Sequence, residues 1–584
     1  MNLCLYLRTA ARPFVRRAVM VIALLAPAAG IAAAAPPLVG GVSPAEAVKL
    51  GERMYREGIL PSGEPMQAML SGDVLVDGVA FSCVSCHMRS GLGSVEGTVY
   101  SPPTTGRKLY LSFDGVEEPV TTEDLMMLPP WVRPLVRRAP YTDETLALAL
   151  RAGVDPSGRT LSNAMPRYAL SDGDTAILIH YLKHLSGPIS PGVMPAEIRL
   201  ATVVTEGVDP EDREVVLKTM QTIIQSANTR PDLVRKGMME SLRKRTTGAG
   251  FLPGERDRRP RPYKLDVWTL TGSPKNWPAQ LEAYYRKKPV FALVGGISAG
   301  SWKPIHEFCE RNAIPCLYPV TDYPVISEQD WYTRYLSKGL YQEGESAARY
   351  LAGMHEAEEN ISVIQVHTDD LAGRTLAEGF RSTWEQLGRP KPPEVAVPPK
   401  FRPDAKFWSE LVATHRPKVV LFWHATGDLS KLIMPSQFTV NTPLMFLSYG
   451  LLGDVVYSLP IHHKPNTYIT YPYDLGEMGI KYTSMDLALL RSKGITSKKP
   501  ELLAKAAILN NVLSEIFMKF DRYFYRDYLL DMASELADKS RLIPLYTRIS
   551  FGPGQLYASK GCYITQLDPG GSRILLRKSE WAIK

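Results

Sequence analysis

Short apolar runs alternate along much of this chain with longer stretches whose apolar residues recur every three or four positions. From residue 199 onward the runs fall at 264–270, 290–294, 361–366, 419–423, 444–448 and 467–470, each bounded by turn-forming residues. Runs this short and this continuous predict strands buried on both faces. The periodic segments 210–228, 277–286, 302–311, 340–356, 373–387 and 407–415 predict helices between them. Strand–helix alternation calls for parallel sheets with helices on both faces. Roughly 380 residues are too many for one such sheet, so two lobes are expected over 199–584.

Before residue 188 the pattern is different. Ser43-Pro44-Ala45-Glu46 combines a capping serine, a proline at the first helical position and a glutamate at the third. The helix it opens carries Ala47, Leu50, Gly51 and Met54 on one face. Ser171 and Asp174 open a second helix, with Ile177, Leu178, Tyr181, Leu182 and Leu185 on one face. The stretch 69–81 is rich in Gly and Asp and reads as loop. Prolines and glycines crowd 187–195, so 188–198 reads as a linker.

The first 35 residues form a separate class of segment. Arg8, Arg12, Arg16 and Arg17 precede an apolar run that ends in four alanines at 32–35. A basic start, a short apolar core and small residues at the exit describe a cleaved export signal and a periplasmic location. Nothing later is apolar over the ~20 residues a membrane span needs. The formal net charge of +8 falls to +4 without this segment, 64 basic residues against 60 acidic. A balance that even argues against a nucleic-acid partner.

Six cysteines in 584 residues cannot make a disulfide scaffold. Two of them lie in Cys83-Val84-Ser85-Cys86-His87, the C-x-x-C-H pattern of covalent haem attachment. Two thiols one turn apart can each add to a vinyl group of one porphyrin edge, and the next residue is a histidine placed to ligate iron. The motif therefore predicts one covalently attached haem c, with His87 as an axial iron ligand. Cys309 and Cys316 flank a helix-to-strand turn, where a disulfide is one outcome and two free thiols the other.

With these residues in view, 43–187 resembles a class I cytochrome c, an all-α domain whose first and last helices cross beside the haem. Gly51 and Tyr55, with Tyr181 and Leu182, fit that family's helix-crossing pattern. Asn163-Ala164-Met165-Pro166 resembles its axial Met-Pro segment, which makes Met165 the implied sixth ligand, ahead of His180 and His184. The remainder resembles the type I periplasmic solute-binding proteins, the receptors for branched-chain amino acids and amides. Its best stretches are Phe291 to Trp302 with Ile314-Pro315, and 361–373 with Asp369-Asp370. By position in that family, Ser298, Ser301, Thr321, Asp322, Asp370 and His424 would face a ligand cleft between the lobes.

The combined expectation is a multidomain, non-enzymatic chain: an all-α cytochrome c domain followed by a two-lobed α/β binding-protein-like domain. It would pass single electrons between a dehydrogenase donor and a cytochrome or oxidase acceptor, its second module sensing a small molecule or docking a partner. One alternative is a transport receptor with an accessory haem. Another is a peroxidase-like haem enzyme, which requires that Met165 not hold the iron.

Overall fold

The computed structural model describes residues 37–581 except 71–73, 97–98, 115–136, 246–260, 355–360, 431–442, 476–486, 521–522, 540–544, 548 and 552–554. The expected export signal at 1–35 lies outside the described residues.

The N-terminal part is built on two crossing helices. α1 (Pro44–Glu57) starts at Ser43, whose Oγ accepts from the Glu46 N–H, and stops at Gly58 in the left-handed conformation. α2 (Asp143–Ala152) opens on a reciprocal Thr142–Thr145 cap. α3 (Asp172–His184) opens at Ser171, whose Oγ accepts from the Asp174 N–H at 3.1 Å. α1 buries Ala47, Gly51, Met54 and Tyr55 against Ile177, Leu178, Tyr181 and Leu182 of α3. One apolar cluster, from Ala47 to Leu185, holds the whole unit.

This unit is not all-α. Strands Gln67–Leu70 and Val74–Asp77 pair antiparallel, and Arg167–Tyr168 adds a third on the other side. The stretch read as loop is therefore largely a hairpin. Its Met69-Leu70 and Val74-Leu75-Val76 runs are too short to register as strands by pattern. Yet pairing satisfies backbone groups that a loop there would leave to solvent. A further small ladder joins Ser94–Glu96 to Val99–Ser101.

From residue 198 the chain forms two parallel sheets. The first lobe begins with β1 (Ile198–Thr205), α4 (Pro210–Arg245), β2 (Tyr263–Leu270), α5 (Trp277–Lys287) and β3 (Ala292–Val294). It continues through α6 (Lys303–Arg311), β4 (Cys316–Leu317) and β5 (Thr333–Ser337). The second lobe holds α7 (Leu340–Met354), β6 (Val363–Thr368), α8 (Leu371–Gln386), β7 (Glu394–Val397) and α9 (Ala405–His415). Then come β8 (Val419–Trp423), β9 (Leu444–Ser448) and β10 (Thr467–Tyr471). The chain returns to the first lobe for α10 (Pro500–Lys519), α11 (Arg526–Lys539) and β11 (Tyr557–Ser559), and ends in the second with β12 (Tyr563–Leu567) and β13 (Leu575–Arg577).

Strand order is β11-β5-β4-β3-β1-β2 in the first lobe and β7-β6-β8-β9-β10-β12-β13 in the second. The first sheet is parallel throughout, and the second is parallel except at β12 and β13. In each lobe the order reverses beside the first strand, at β1/β3 and at β6/β8, which are topological switch points. The chain crosses between lobes three times: from β5 into α7, from β10 toward α10, and from β11 into β12.

Candidate functional site

Cys83 caps a single helical turn, Val84–His87, in which the His87 N–H donates to the Cys83 carbonyl at 2.9 Å. Cys83 is half-buried and Cys86 is exposed, and neither is in a disulfide among the described residues. Burial pushes the Cys83 thiol up to about 12. The His87 ring is buried, with Nδ1 2.7 Å from the Pro102 carbonyl oxygen. A carbonyl only accepts, so Nδ1 carries the proton and Nε2 presents a lone pair. Burial also holds His87 below its ordinary pKa, which keeps the imidazole in its neutral, ligating form.

Met165 is half-buried against the same cluster. Its loop is fixed from within: the Arg167 guanidinium donates to the Met165 carbonyl and, at 3.0 Å, to that of Leu161, while Met165 N–H donates to Ser162 at 3.1 Å. Register places Met69 opposite both Leu75 and Arg167. Met69, Val74, Leu75, Val79 and Phe81, all on the hairpin or on the approach to Cys83, are exposed. Of these, Met69 and Leu75 pair across the hairpin and so share one face, which an apolar macrocycle would cover. Two thiols, a neutral imidazole with a free Nε2, a thioether and that face fit an iron porphyrin bound through Cys83 and Cys86.

The second candidate site lies at the carboxyl ends of the α/β strands. After β3, Gly295 and Gly296 lead to Ser298, whose Oγ is 3.3 Å from Thr205 Oγ1 at the end of β1. The Ala299 N–H donates to that same Thr205 oxygen at 2.9 Å. Ser298 thus stands at the first lobe's switch point. Asp370 and His424 stand at the second, just past β6 and β8. Asp370 caps α8, accepting from the Gly373 N–H at 2.9 Å and from Thr368 Oγ1 at 2.9 Å. His424 is 0% exposed and stacked on Phe422, and neither ring nitrogen has a hydrogen bond of normal geometry among the described residues. Burial lowers its pKa, so its ring is neutral.

Loops from the two lobes meet between these points. Tyr323, in the segment after β4, packs against the second lobe's core beside Asp322, Asp370 and Lys505, and burial followed by the two carboxylates pushes its hydroxyl up to about 12. Burial alone would lower Lys505, but Asp322 at 2.6 Å raises it. Thr321, Ser337, Lys505 and Tyr546 line a cavity of about 10 Å³, room for about one water. Thr321 Oγ1 is taken up locally by the Tyr323 N–H, and Ser301 Oγ by the Lys303 N–H at the start of α6. Of the six residues expected in the cleft, Asp322, Asp370 and His424 are therefore grouped, Thr321 lines the small cavity beside Lys505, Ser298 sits at its own switch point, and Ser301 serves α6.

Sequence reasoning missed two residues here, Lys505 and Glu343. Glu343, 1% exposed at the start of α7, accepts from Ser448 Oγ at 2.8 Å, from Thr470 Oγ1 at 2.7 Å and from the Gly450 N–H at 3.1 Å. Burial, against these donors, pushes its carboxyl up to about 7. No local motif marks a lone Glu in a helix whose partners lie more than a hundred residues away.

Cys309 and Cys316 are both fully buried and interact, but they are free thiols, and no bond joins them. Burial pushes the Cys309 thiol above its ordinary value, away from the thiolate that exchange requires. Cys562 is likewise a buried thiol.

No protein-family model matches the chain, and no curated protein matches it in sequence. Solved structures similar in fold include a fatty acid ABC transporter substrate-binding protein from Thermomonospora curvata, at 15% identity and TM-score 0.43 over 68% of this chain and 95% of that one. An ABC transporter substrate-binding protein from Sphaerobacter thermophilus has 14% identity and TM-score 0.45, over 66% and 98%. A branched chain amino acid ABC transporter protein from Thermus thermophilus with bound valine has 10% and 0.44, over 67% and 97%. At these identities the likeness is one of fold.

Proposed function

We propose that this is a periplasmic, two-lobed solute-binding-type protein that carries one covalent haem c on its N-terminal domain, with Cys83 and Cys86 as attachment points and His87 and Met165 as axial ligands. The observation that carries the haem reading is the His87 Nδ1–Pro102 contact, which takes up the ring's proton and leaves the Nε2 lone pair for a metal. When bound, such a group supplies one-electron transfer. The chain's own residues hold the imidazole neutral, fix the Met165 loop through Arg167 and leave two thiols for attachment. A periplasmic dehydrogenase is a natural donor and a cytochrome or oxidase a natural acceptor. The test is the visible spectrum of protein exported from a host with c-type maturation. A sharp reduced α-band, with a far-red oxidised band lost in Met165→Ala, is expected. A pyridine haemochrome assay without covalent haem would overturn the reading. A high-spin spectrum that responds to peroxide would favour the haem enzyme instead.

A second reading, a solute receptor with an accessory haem, is favoured by His424, a buried imidazole at a switch point, where open α/β sheets bind ligands. A thermal-shift screen of small solutes tests it: a hit that persists in a Cys86→Ser chain but vanishes in His424→Ala supports the receptor.

A further inference from the structure

The loop that follows His87 is completed by the other module. The Ser90 N–H donates to Asp531 Oδ2 at 2.9 Å, and Asp531 lies on α11 of the first lobe. One turn earlier, Asp527 pairs with Arg89 at 3.4 Å and with Arg56, at the end of α1, at 3.0 Å. The Arg89 guanidinium also lies 4.5 Å from the centroid of Trp331, just before β5. Charged groups this enclosed at a domain contact fix orientation more than they add net stability.

Between His87 and this contact sits Met88, at φ 62° and ψ 166°. A non-glycine residue there stores strain, on the order of 1–3 kcal/mol, and persists only where its surroundings dictate it. Four hydrogen bonds do so. Tyr55 Oη donates to the Met88 carbonyl at 2.8 Å, Gly93 N–H to that of His87 at 3.1 Å, and Ser186 Oγ to that of Ser90 at 2.7 Å. The fourth is the bond from Ser90 to Asp531, and it alone crosses between modules.

We propose that Asp531 is a positioning residue for His87, so that the α/β module is a working part of the haem site rather than an appended one. The inference rests on the haem reading above. Outer-shell partners set the orientation of metal ligands, and losing one commonly costs ten- to a hundredfold in what the site holds. The same bond makes the haem domain sensitive to the first lobe, because α11 packs in that lobe's main core.

The test uses the full-length haem-loaded chain and reads the displacement of the sixth ligand by added imidazole, together with amide exchange at Ser90 to Gly93. Asp531→Ala should displace about tenfold faster and lose protection of those amides, while Asp531→Asn, which keeps an acceptor oxygen, should stay near wild type. Should Asp531→Ala fail to fold, Asp527→Asn and Arg89→Lys carry the same readouts and should shift them the same way. Covalent haem with unchanged displacement in all of these variants overturns the positioning role alone. A chain that takes up no haem overturns both this inference and the haem reading.

Discussion

Tyr181 leaves no room for a side chain at residue 51: a Cβ on Gly51 would lie 2.4 Å from the Tyr181 Cβ and 2.8 Å from the Ile177 carbonyl oxygen. The two main helices of the N-terminal domain therefore touch through backbone.

Gly51→Ala should accordingly lower the melting midpoint. In an exposed helix that change gains up to about 1 kcal/mol. Here overpacking costs about 1–3 kcal/mol or more, because α1 and α3 must separate. A midpoint at or above wild type by thermal unfolding would show that the crossing is looser than described.

Glu343 should make stability fall as pH rises. Its folded carboxyl keeps its proton up to about pH 7, whereas in the unfolded chain it releases it near 4.5. Folding is therefore favoured by this group at low pH, and the advantage is lost as pH rises through the folded value. Asp322 faces it and adds to the effect, with the Tyr473 and Cys562 side chains nearby. Glu343→Gln should flatten the stability profile between about pH 4.5 and about pH 7 by up to about 3 kcal/mol. A profile as steep as wild type would assign the slope to other groups.

Arg526 stitches α11 to the edge of the first lobe. Its guanidinium donates to the carbonyls of Phe291 at 3.0 Å, Val290 at 2.7 Å, and Asn312 and Ala313 at 3.1 Å, and to Tyr285 Oη at 3.1 Å. Arg526→Ala strands buried carbonyl groups and should cost at least about 3 kcal/mol in denaturant unfolding. Arg526→Lys should recover only part of this, since an ammonium cannot reproduce the planar fork. Equal stability of the lysine variant and wild type would mean that charge, not geometry, matters at this position.

Thiol reactivity separates the cysteines. In haem-free folded protein Cys86 should alkylate fast and Cys83 slowly, while Cys309, Cys316 and Cys562 stay unmodified until denaturation. In haem-loaded protein Cys83 and Cys86 should both be lost to the reagent even after unfolding. Rapid labelling of Cys309 in the folded state would contradict its burial.

Much of this organisation is legible in the sequence, and what is not has physical causes. Continuous runs such as 419–423 and 361–366 announce buried parallel strands because no face of them meets water, and both strands are there. Ser43 and Ser171 mark helix starts because capping is local chemistry. The hairpin around 67–77 escaped notice because its strands are four residues each and one is largely exposed, so no apolar alternation develops. The first lobe's long helix was expected to end near 228 but runs to Arg245. At the sites, Cys83, Cys86 and His87 are singled out by their spacing alone. Asp531 and Glu343 could not be found that way, because what makes them matter is a partner hundreds of residues distant for the one and over a hundred for the other.

The three crossings between lobes also impose an order in time. Chains emerge from their amino ends, and domains tend to fold as they appear. The Ala47–Leu185 core is complete once its own last helix is made. Neither lobe can close so early: the first waits for α10, α11 and β11, and the second for β12 and β13, both delivered by the final stretch of chain. There is thus an interval during synthesis in which the Cys83–His87 turn is formed while α11 has yet to arrive. During that interval the face carrying Arg56, Arg89 and Ser90 is open to other molecules, and it shuts when Asp527 and Asp531 come into place.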